Sequence, residues 1–359
     1  MTGNKGEWSE PYTLLKLVAE GRLNLGKENY EILEGVFYPI IGIIRHEKAK
    51  NVHFSYGNNL VIINNGVESF QLPVNTFLEY SKLCLDRIKN ITSKDGTFSI
   101  PEIASFLNSI SLDGLKSKAK NKHDITIQFN DPKLLFSPTL GFSIKSQLGS
   151  PSTLVNASNA TSFTYLIDGY LSYTDIEKIN GLRKFSDKLS LIQNLGGSLT
   201  FEKVDNEIFK INLQTIDYNF PKVISDILLD YHKNNIPKNN NIPYFIDQIS
   251  NKNEFGYNLA LNSDIYKMMM KKFLVDYALG MRAAEVWKRD YQASGGYLIV
   301  RNDGEILCYH FYFTKLFEDY LFANTKLETP DVKRYNTGRI YLEDGLQKIK
   351  MNLQIRFNK

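Results

Sequence analysis

The chain has 359 residues but only two cysteines, Cys84 and Cys308. They lie far apart and form no CxxC pair, which argues against a structural zinc site and against a disulfide scaffold. Both thiols are expected to be buried and reduced. Long apolar runs are also missing. No stretch approaches the roughly 18 apolar residues of a membrane span, and residues 1–10 are polar. The expectation is a cytoplasmic protein with no membrane partner. The glycine motifs GxGxxG, GxxxxGK[ST] and GxSxG do not occur, so nothing supports a soluble enzyme of the nucleotide-binding or hydrolase-elbow kind. The five histidines (46, 53, 123, 232 and 310) show no metal-ligand spacing. Charge of one sign is barely in excess, at net +4, which is compatible with a nucleic-acid partner without arguing for one.

What is present is an ordinary globular composition with many aromatics, 21 Tyr and 22 Phe, and most of these are expected in cores. A first helix is expected from about Ser9, with Ser9 as N-cap, Pro11 in the first turn and Gly21 at its end. Residues 40–44 form an apolar run. Residues 60–63, followed by Asn64-Asn65-Gly66, read as strand, turn and strand. Helices follow at about 78–91 and, with Ser99 as cap, at about 101–109. Residues 124–129 alternate apolar and polar, and 140–146 form a second strand after a loop of about ten residues. The stretch 146–164, rich in Ser, Thr and Asn, reads as a polar loop. A strong helical pattern covers 264–291, whose Met268-Met269-Met270 run suits core filling. Residues 296–300 and 306–309 flank Asn302-Asp303-Gly304 as a hairpin, and 351–357 ends the chain as a strand.

One constellation carries chemistry. Asp124 opens a strand, and alternation on the next strand puts Ser143 and Lys145 on one face and Ile144 on the other. The Ile144 backbone carbonyl remains available to a cation. An aspartate and a backbone carbonyl suit a hard cation such as Mg²⁺, and a neighbouring Lys can orient or deprotonate a water. The cationic run Lys116-Ser117-Lys118-Ala119-Lys120-Asn121-Lys122-His123 leads straight into Asp124 and would suit phosphate contacts. Asp131 is a rival aspartate, but Asn130-Asp131-Pro132 is a turn sequence.

Asp124 and Lys145 resemble the PD-(D/E)xK nuclease pattern, in which an Asp opens one strand and an acid-x-Lys follows on the next. Ser143 stands where that pattern has Asp or Glu, as in several restriction enzymes of the superfamily. Many members carry a Gly-x-x-x-Glu pattern on an N-terminal helix, and Gly6 and Glu10 match it, with Glu7 as runner-up. A longer similarity, to the HpaII restriction endonuclease family, runs through Asn4-Lys5-Gly6-Glu7-Trp8-Ser9-Glu10 and Leu140-Gly141-Phe142-Ser143-Ile144-Lys145-Ser146-Gln147-Leu148-Gly149. It continues in Thr153-Leu154-Val155-Asn156-Ala157-Ser158, Asp303-Gly304-Glu305-Ile306-Leu307-Cys308-Tyr309-His310 and Asn352-Leu353-Gln354-Ile355-Arg356-Phe357.

The resemblance implies an α/β (α+β) fold with a restriction-endonuclease-like core, a mixed sheet flanked by helices, and added DNA-recognition elements. It implies a nuclease core over residues 1–170 with a mixed segment inserted at about 31–95. A mixed segment over 171–255 and a C-terminal DNA-recognition and packing region over 256–359 would complete the chain. It further implies a type II restriction enzyme that uses Mg²⁺ to cut double-stranded DNA, with 5′-CCGG-3′ as the expected site. Asp124, Ser143, Lys145 and Glu10 would form the catalytic set, with Asp124, Glu10 and the Ile144 carbonyl at the metal. A palindromic site suggests a homodimer, and a restriction system implies a cognate DNA methyltransferase. Candidates for DNA contacts are Ser146, Gln147, Asn156, Lys326, Lys333, Arg334 and Arg339. The alternative is a sequence-specific DNA-binding protein with a nuclease-like fold and no activity, motivated by Ser143.

Overall fold

A computed structural model describes residues 1–91, 96–118, 123–131, 136–233, 241–310, 312–330, 335 and 337–358. In chain order the first elements are α1 (Lys5–Glu20), β1 (Arg22–Gly26), β2 (Ile32–His46), β3 (Asn51–Gly57), β4 (Leu60–Asn64) and β5 (Ser69–Pro73). Then come α2 (Val74–Asn90), α3 (Pro101–Ser109), β6 (Ile125–Phe129), β7 (Thr139–Ser146), β8 (Thr153–Val155) and β9 (Ser162–Asp168). The middle of the chain carries α4 (Tyr173–Gly181), α5 (Phe185–Asn194), β10 (Ser198–Val204), α6 (Glu207–Gln214), α7 (Phe220–Lys233), α8 (Ile242–Lys252) and α9 (Ile265–Leu279). The last part holds β11 (Gly296–Val300), β12 (Ile306–His310), α10 (Thr314–Ala323), β13 (Thr325–Leu327), β14 (Ile340–Glu343), β15 (Leu346–Asn352) and β16 (Ile355–Phe357). The result is a mixed α/β protein, as expected.

Two compact units divide the chain. Unit 1 is formed from residues 1–152 and 291–320, and unit 2 from 153–290 and 321–358.

Unit 1 is built on a nine-stranded sheet in the order β1-β12-β11-β7-β6-β2-β3-β4-β5. β7 is parallel to β11 and antiparallel to β6. β2 to β5 belong to this sheet, and β2 pairs directly with β6. Trp8, Leu15, Phe77, Cys84, Ile103, Leu107, Ile127, Phe142 and Leu298 belong to one buried cluster shared by α1, α2, α3 and the sheet. Burial at roughly 25 cal/mol per Å² of apolar surface makes this cluster the main stabilising term of the unit.

A register irregularity between Ile40 and Gly42 interrupts the β2–β6 ladder. Before it Tyr38 and Ile40 are buried, and after it Ile43 and Arg45 are. Side chains alternate with period two, so one extra residue reverses which set points inward. The bulge therefore turns a guanidinium into the interior, where Arg45 is 1% exposed.

Unit 2 carries an antiparallel sheet, β10-β9-β15-β14, and a small one, β13-β16-β8. Phe163, Tyr165 and Phe209 lie in its interior, where the Tyr165 hydroxyl donates to the Ser225 carbonyl at 2.8 Å.

Several local expectations are corrected. The first helix starts at Lys5, not near Ser9. Its N-cap is Asn4, paired with Glu7 in a capping box. Ser9 instead donates back to the Lys5 carbonyl at 2.8 Å, and Pro11 lies inside the helix. Ser99 does not cap α3, whose N-cap is Ile100. The stretch 146–164 is not loop throughout, since it holds β8 and the start of β9. The helix expected over 264–291 ends at Leu279, with Gly280 as its C-cap at φ 151°. Of the methionine run, Met269 and Met270 are buried and Met268 is exposed. Both cysteines are free and buried, and the two hairpins form as read.

Candidate active site

The site grows from the end of one strand ladder. The β6–β7 register sets Ile125 against Phe142, which brings Asp124 beside Ser143. The Asp124 N–H donates to the Phe142 carbonyl at 2.8 Å. One step on, the ladder is continued by a side chain: the Ile144 N–H donates to Asp124 Oδ2 at 2.7 Å. Within a strand the N–H and C=O of one residue point the same way. The Ile144 carbonyl is thus directed past the end of β6, on the side where Asp124 lies. Asp124 Oδ1 accepts no hydrogen bond among the described residues.

Glu10 joins from α1, which packs on β7. Its Oε2 accepts from Arg45 Nη1 at 3.2 Å and from the Ser117 N–H at 3.1 Å. Its Oε1 has no hydrogen-bond partner among the described residues. Burial pushes the Glu10 carboxyl up to about 7, against the pull of Arg45, and the nearby Asp124 charge adds to the rise. Glu7 is occupied elsewhere: it caps α1 and pairs with Lys116 at 2.6 Å. Lys116, expected at a phosphate, is engaged by that pair, while residues 119–122 lie outside the described ones.

Lys145 is half-buried on β7, with Nζ 5.2 Å from the Tyr297 ring centre. It forms no ion pair among the described residues. Burial lowers its pKa, opposed by the charges of Asp124 and Glu10. Asp124, Glu10 and Lys145 are therefore close enough to interact electrostatically. Ser143 is buried and supplies no carboxylate.

Arg45 was not singled out by sequence reasoning. It donates to Glu10, to the Asp124 carbonyl at 3.2 Å and to the Leu115 carbonyl, and lies 3.5 Å from Glu47. It thereby fastens α1, the start of β6 and the 115–117 segment to one another. A signal existed: Arg45 follows the apolar run 40–44 directly. His123 ends the cationic run directly before Asp124. Its ring is bridged through Thr126 Oγ1 to His46, at 3.1 and 3.0 Å. Gly141 is required beneath it, because a Cβ there would lie 2.6 Å from the His123 ring.

The other candidates scatter. Asp131 is buried beside Tyr38 and His310, away from this cluster. The Ser146 hydroxyl is held internally, by Ser9 Oγ at 2.7 Å and the Leu148 N–H at 3.1 Å. The Gln147 backbone extends the sheet by donating to Val300 at 2.8 Å. Asn156 is exposed after β8, and Lys326 is half-buried in β13. Arg339 is exposed in unit 2, and Lys333 and Arg334 lie outside the described residues. No cluster of three or more His, Cys, Asp or Glu suited to a metal occurs among the described residues. Any cation here must complete its shell with backbone oxygen and water, as Mg²⁺ commonly does. The two untied carboxylate oxygens and the Ile144 carbonyl fit that donor set.

Two carboxylates, a backbone carbonyl and a lysine at the end of a strand pair make a site suited to hydrolysing a phosphodiester. The family model described as HpaII restriction endonuclease matches residues 4–357, and the chain belongs to that family. It is a type II restriction endonuclease. Among curated proteins it is 43% identical over 358 residues to the type II restriction enzyme HpaII of Haemophilus parainfluenzae, covering 99% of this chain and 98% of that one. No solved structure matches the chain. No helix among the described residues is long and apolar enough to cross a membrane.

Proposed function

We propose that the chain cuts both strands of duplex DNA at a short palindromic site, 5′-CCGG-3′, using Mg²⁺, on a core of the PD-(D/E)xK kind. The observation that carries this reading is the convergence of Asp124, Glu10 and Lys145, with one oxygen of each carboxylate left untied. Asp124, Glu10 and the Ile144 carbonyl would hold the metal. Bound there, Mg²⁺ would neutralise phosphate charge and make a water more acidic. Lys145 carries the proton chemistry of the chain itself. Burial lowers its pKa, so the amine would be the chain's group to take a proton from the attacking water, and as a cation it would offset the charge growing on phosphate. Ser143 contributes no ligand charge, so Glu10 supplies what the usual acid would. The enzyme would act as a homodimer matching the two-fold symmetry of its site, alongside a methyltransferase that protects the same sequence.

The test is a plasmid digest with and without Mg²⁺, with the ends sequenced. Cleavage at CCGG that needs the metal and vanishes in Glu10→Ala supports the reading. Wild-type rates in Glu10→Ala would remove Glu10 from the site, and ends at other sequences would overturn CCGG.

A further inference from the structure

A protein that reads bases needs donors carried on a backbone held still at its surface, because a cation on a loose segment attracts any phosphate equally. Arg339 in unit 2 is mounted on such a backbone. Arg339 is exposed and makes no ion pair or hydrogen bond among the described residues. It lines a recess together with Ser162, Asp205, Tyr341 and Lys350.

The backbone on both sides of Arg339 is fastened. The Gly338 N–H donates to the Lys350 carbonyl at 2.8 Å, and the Gly338 carbonyl accepts from buried Lys188 Nζ at 2.7 Å. Gly338 has φ 72°, and a Cβ there would lie 2.5 Å from the Phe185 ring, so the turn closes only around glycine. After Arg339, the Ile340 N–H donates to Asn180 Oδ1 at 2.8 Å, and Asn180 Nδ2 donates to the Ile340 carbonyl at 3.0 Å. One side-chain amide here imitates a neighbouring strand.

The charges nearby leave Arg339 unmatched. Lys350 Nζ lies 2.6 Å from Asp205 Oδ2 and 5.3 Å from the Tyr341 ring centre, and Asp205 also accepts from Thr164. The hydrogen bonds of Lys188 go to carbonyls, and its charge and that of Arg339 repel. An electronegative acceptor at the mouth of the recess would relieve that repulsion.

We propose that Arg339 is a specificity-determining residue whose guanidinium reads O6 and N7 of a guanine in the recognition site. The planar fork matches that base edge in bidentate fashion, which a lysine point charge does not. This rests on the reading of the chain as a nuclease that recognises a short DNA site.

The test measures binding of full-length protein to two duplexes without Mg²⁺ across a salt series. One duplex carries the site mapped from wild-type cleavage ends, and the other is unrelated in sequence. Arg339→Ala is expected to lose roughly 5- to 150-fold in preference for the mapped site, with unchanged affinity for the unrelated duplex. Arg339→Lys should not restore the preference. Replacing one site guanine by 7-deazaguanine should weaken wild type but not Arg339→Ala further. Equal weakening on both duplexes, with the log–log salt slope reduced by about 1, would make Arg339 a phosphate contact and overturn the proposal. Unchanged preference would overturn it as well. If wild type cuts no DNA with Mg²⁺, the nuclease reading itself fails and Arg339 falls with it; normal wild-type cleavage with an indifferent Arg339→Ala refutes Arg339 alone.

Discussion

The two units pair their charges differently. In unit 1, Arg45, Glu10 and Glu47 are all buried, and burial raises both carboxyls despite the guanidinium between them. In unit 2 the sheet cations are each paired with carboxylates: buried Lys348 with the more exposed Glu202 and Glu343 at 2.7 and 2.9 Å, and half-buried Lys350 with Asp205. A buried ion pair is a weak source of stability, because desolvation offsets the attraction. What the unit 1 arrangement provides is position and altered proton affinity, which the proposed site for hydrolysis would use. The unit 2 pairs neutralise one another and leave Arg339 without an ion pair among the described residues.

Four changes would break or sharpen that contrast. The largest effect is expected from Lys145→Ala, which should lower the cleavage rate by about 10²–10⁴-fold while leaving site-specific binding intact. Single-turnover rates and gel shifts would separate the two, and normal cleavage would show that the β7 lysine is not part of the chemistry.

Arg45→Met should come next. It leaves Glu10 and Glu47 without their shared partner, at a cost on the order of 3–5 kcal/mol in urea unfolding. Cleavage should fall further than the folded fraction accounts for, because Glu10 and the Asp124 backbone lose a common anchor. A stable, fully active Arg45→Met protein would end the idea that buried charge positions the site.

The third change compares the units directly through one buried histidine in each. Burial holds His310 down at about 4 and His232 at about 3. His310 sits against Phe129 and Tyr38, and His232 stacks on Phe185 at 4.2 Å. A depressed folded pKa contributes stability that is present above the unfolded value of about 6.5 and is lost as pH falls toward the folded one. Wild type should therefore lose stability between pH 6.5 and 4. His310→Phe should flatten that limb by on the order of 2 kcal/mol. An identical acid limb in wild type and His310→Phe would mean that other groups govern it.

The smallest effect is expected from Lys350→Met, which removes one partly exposed pair and should cost no more than about 1 kcal/mol. A loss as large as that of Arg45→Met would erase the distinction between the units.

The sequence alone carried the hairpin at the centre of the site. Alternation over residues 124–129 and 140–146 identifies two strands, and period two then places Ser143 and Lys145 together. Those are short-range facts about the pleat, and short-range patterns are what a sequence displays. The helix start misled for the same reason. Ser9 before an apolar stripe looks like a cap, but Asn4 and Glu7 form the capping box one turn earlier. Only the tertiary structure decided what stands beside Asp124. Glu10 reaches Asp124 because α1 packs on β7, more than a hundred residues away in the chain. Arg45 faces inward because a bulge at Ile40–Gly42 shifts the phase of β2, and an extra residue in a ladder is defined only against its partner strand.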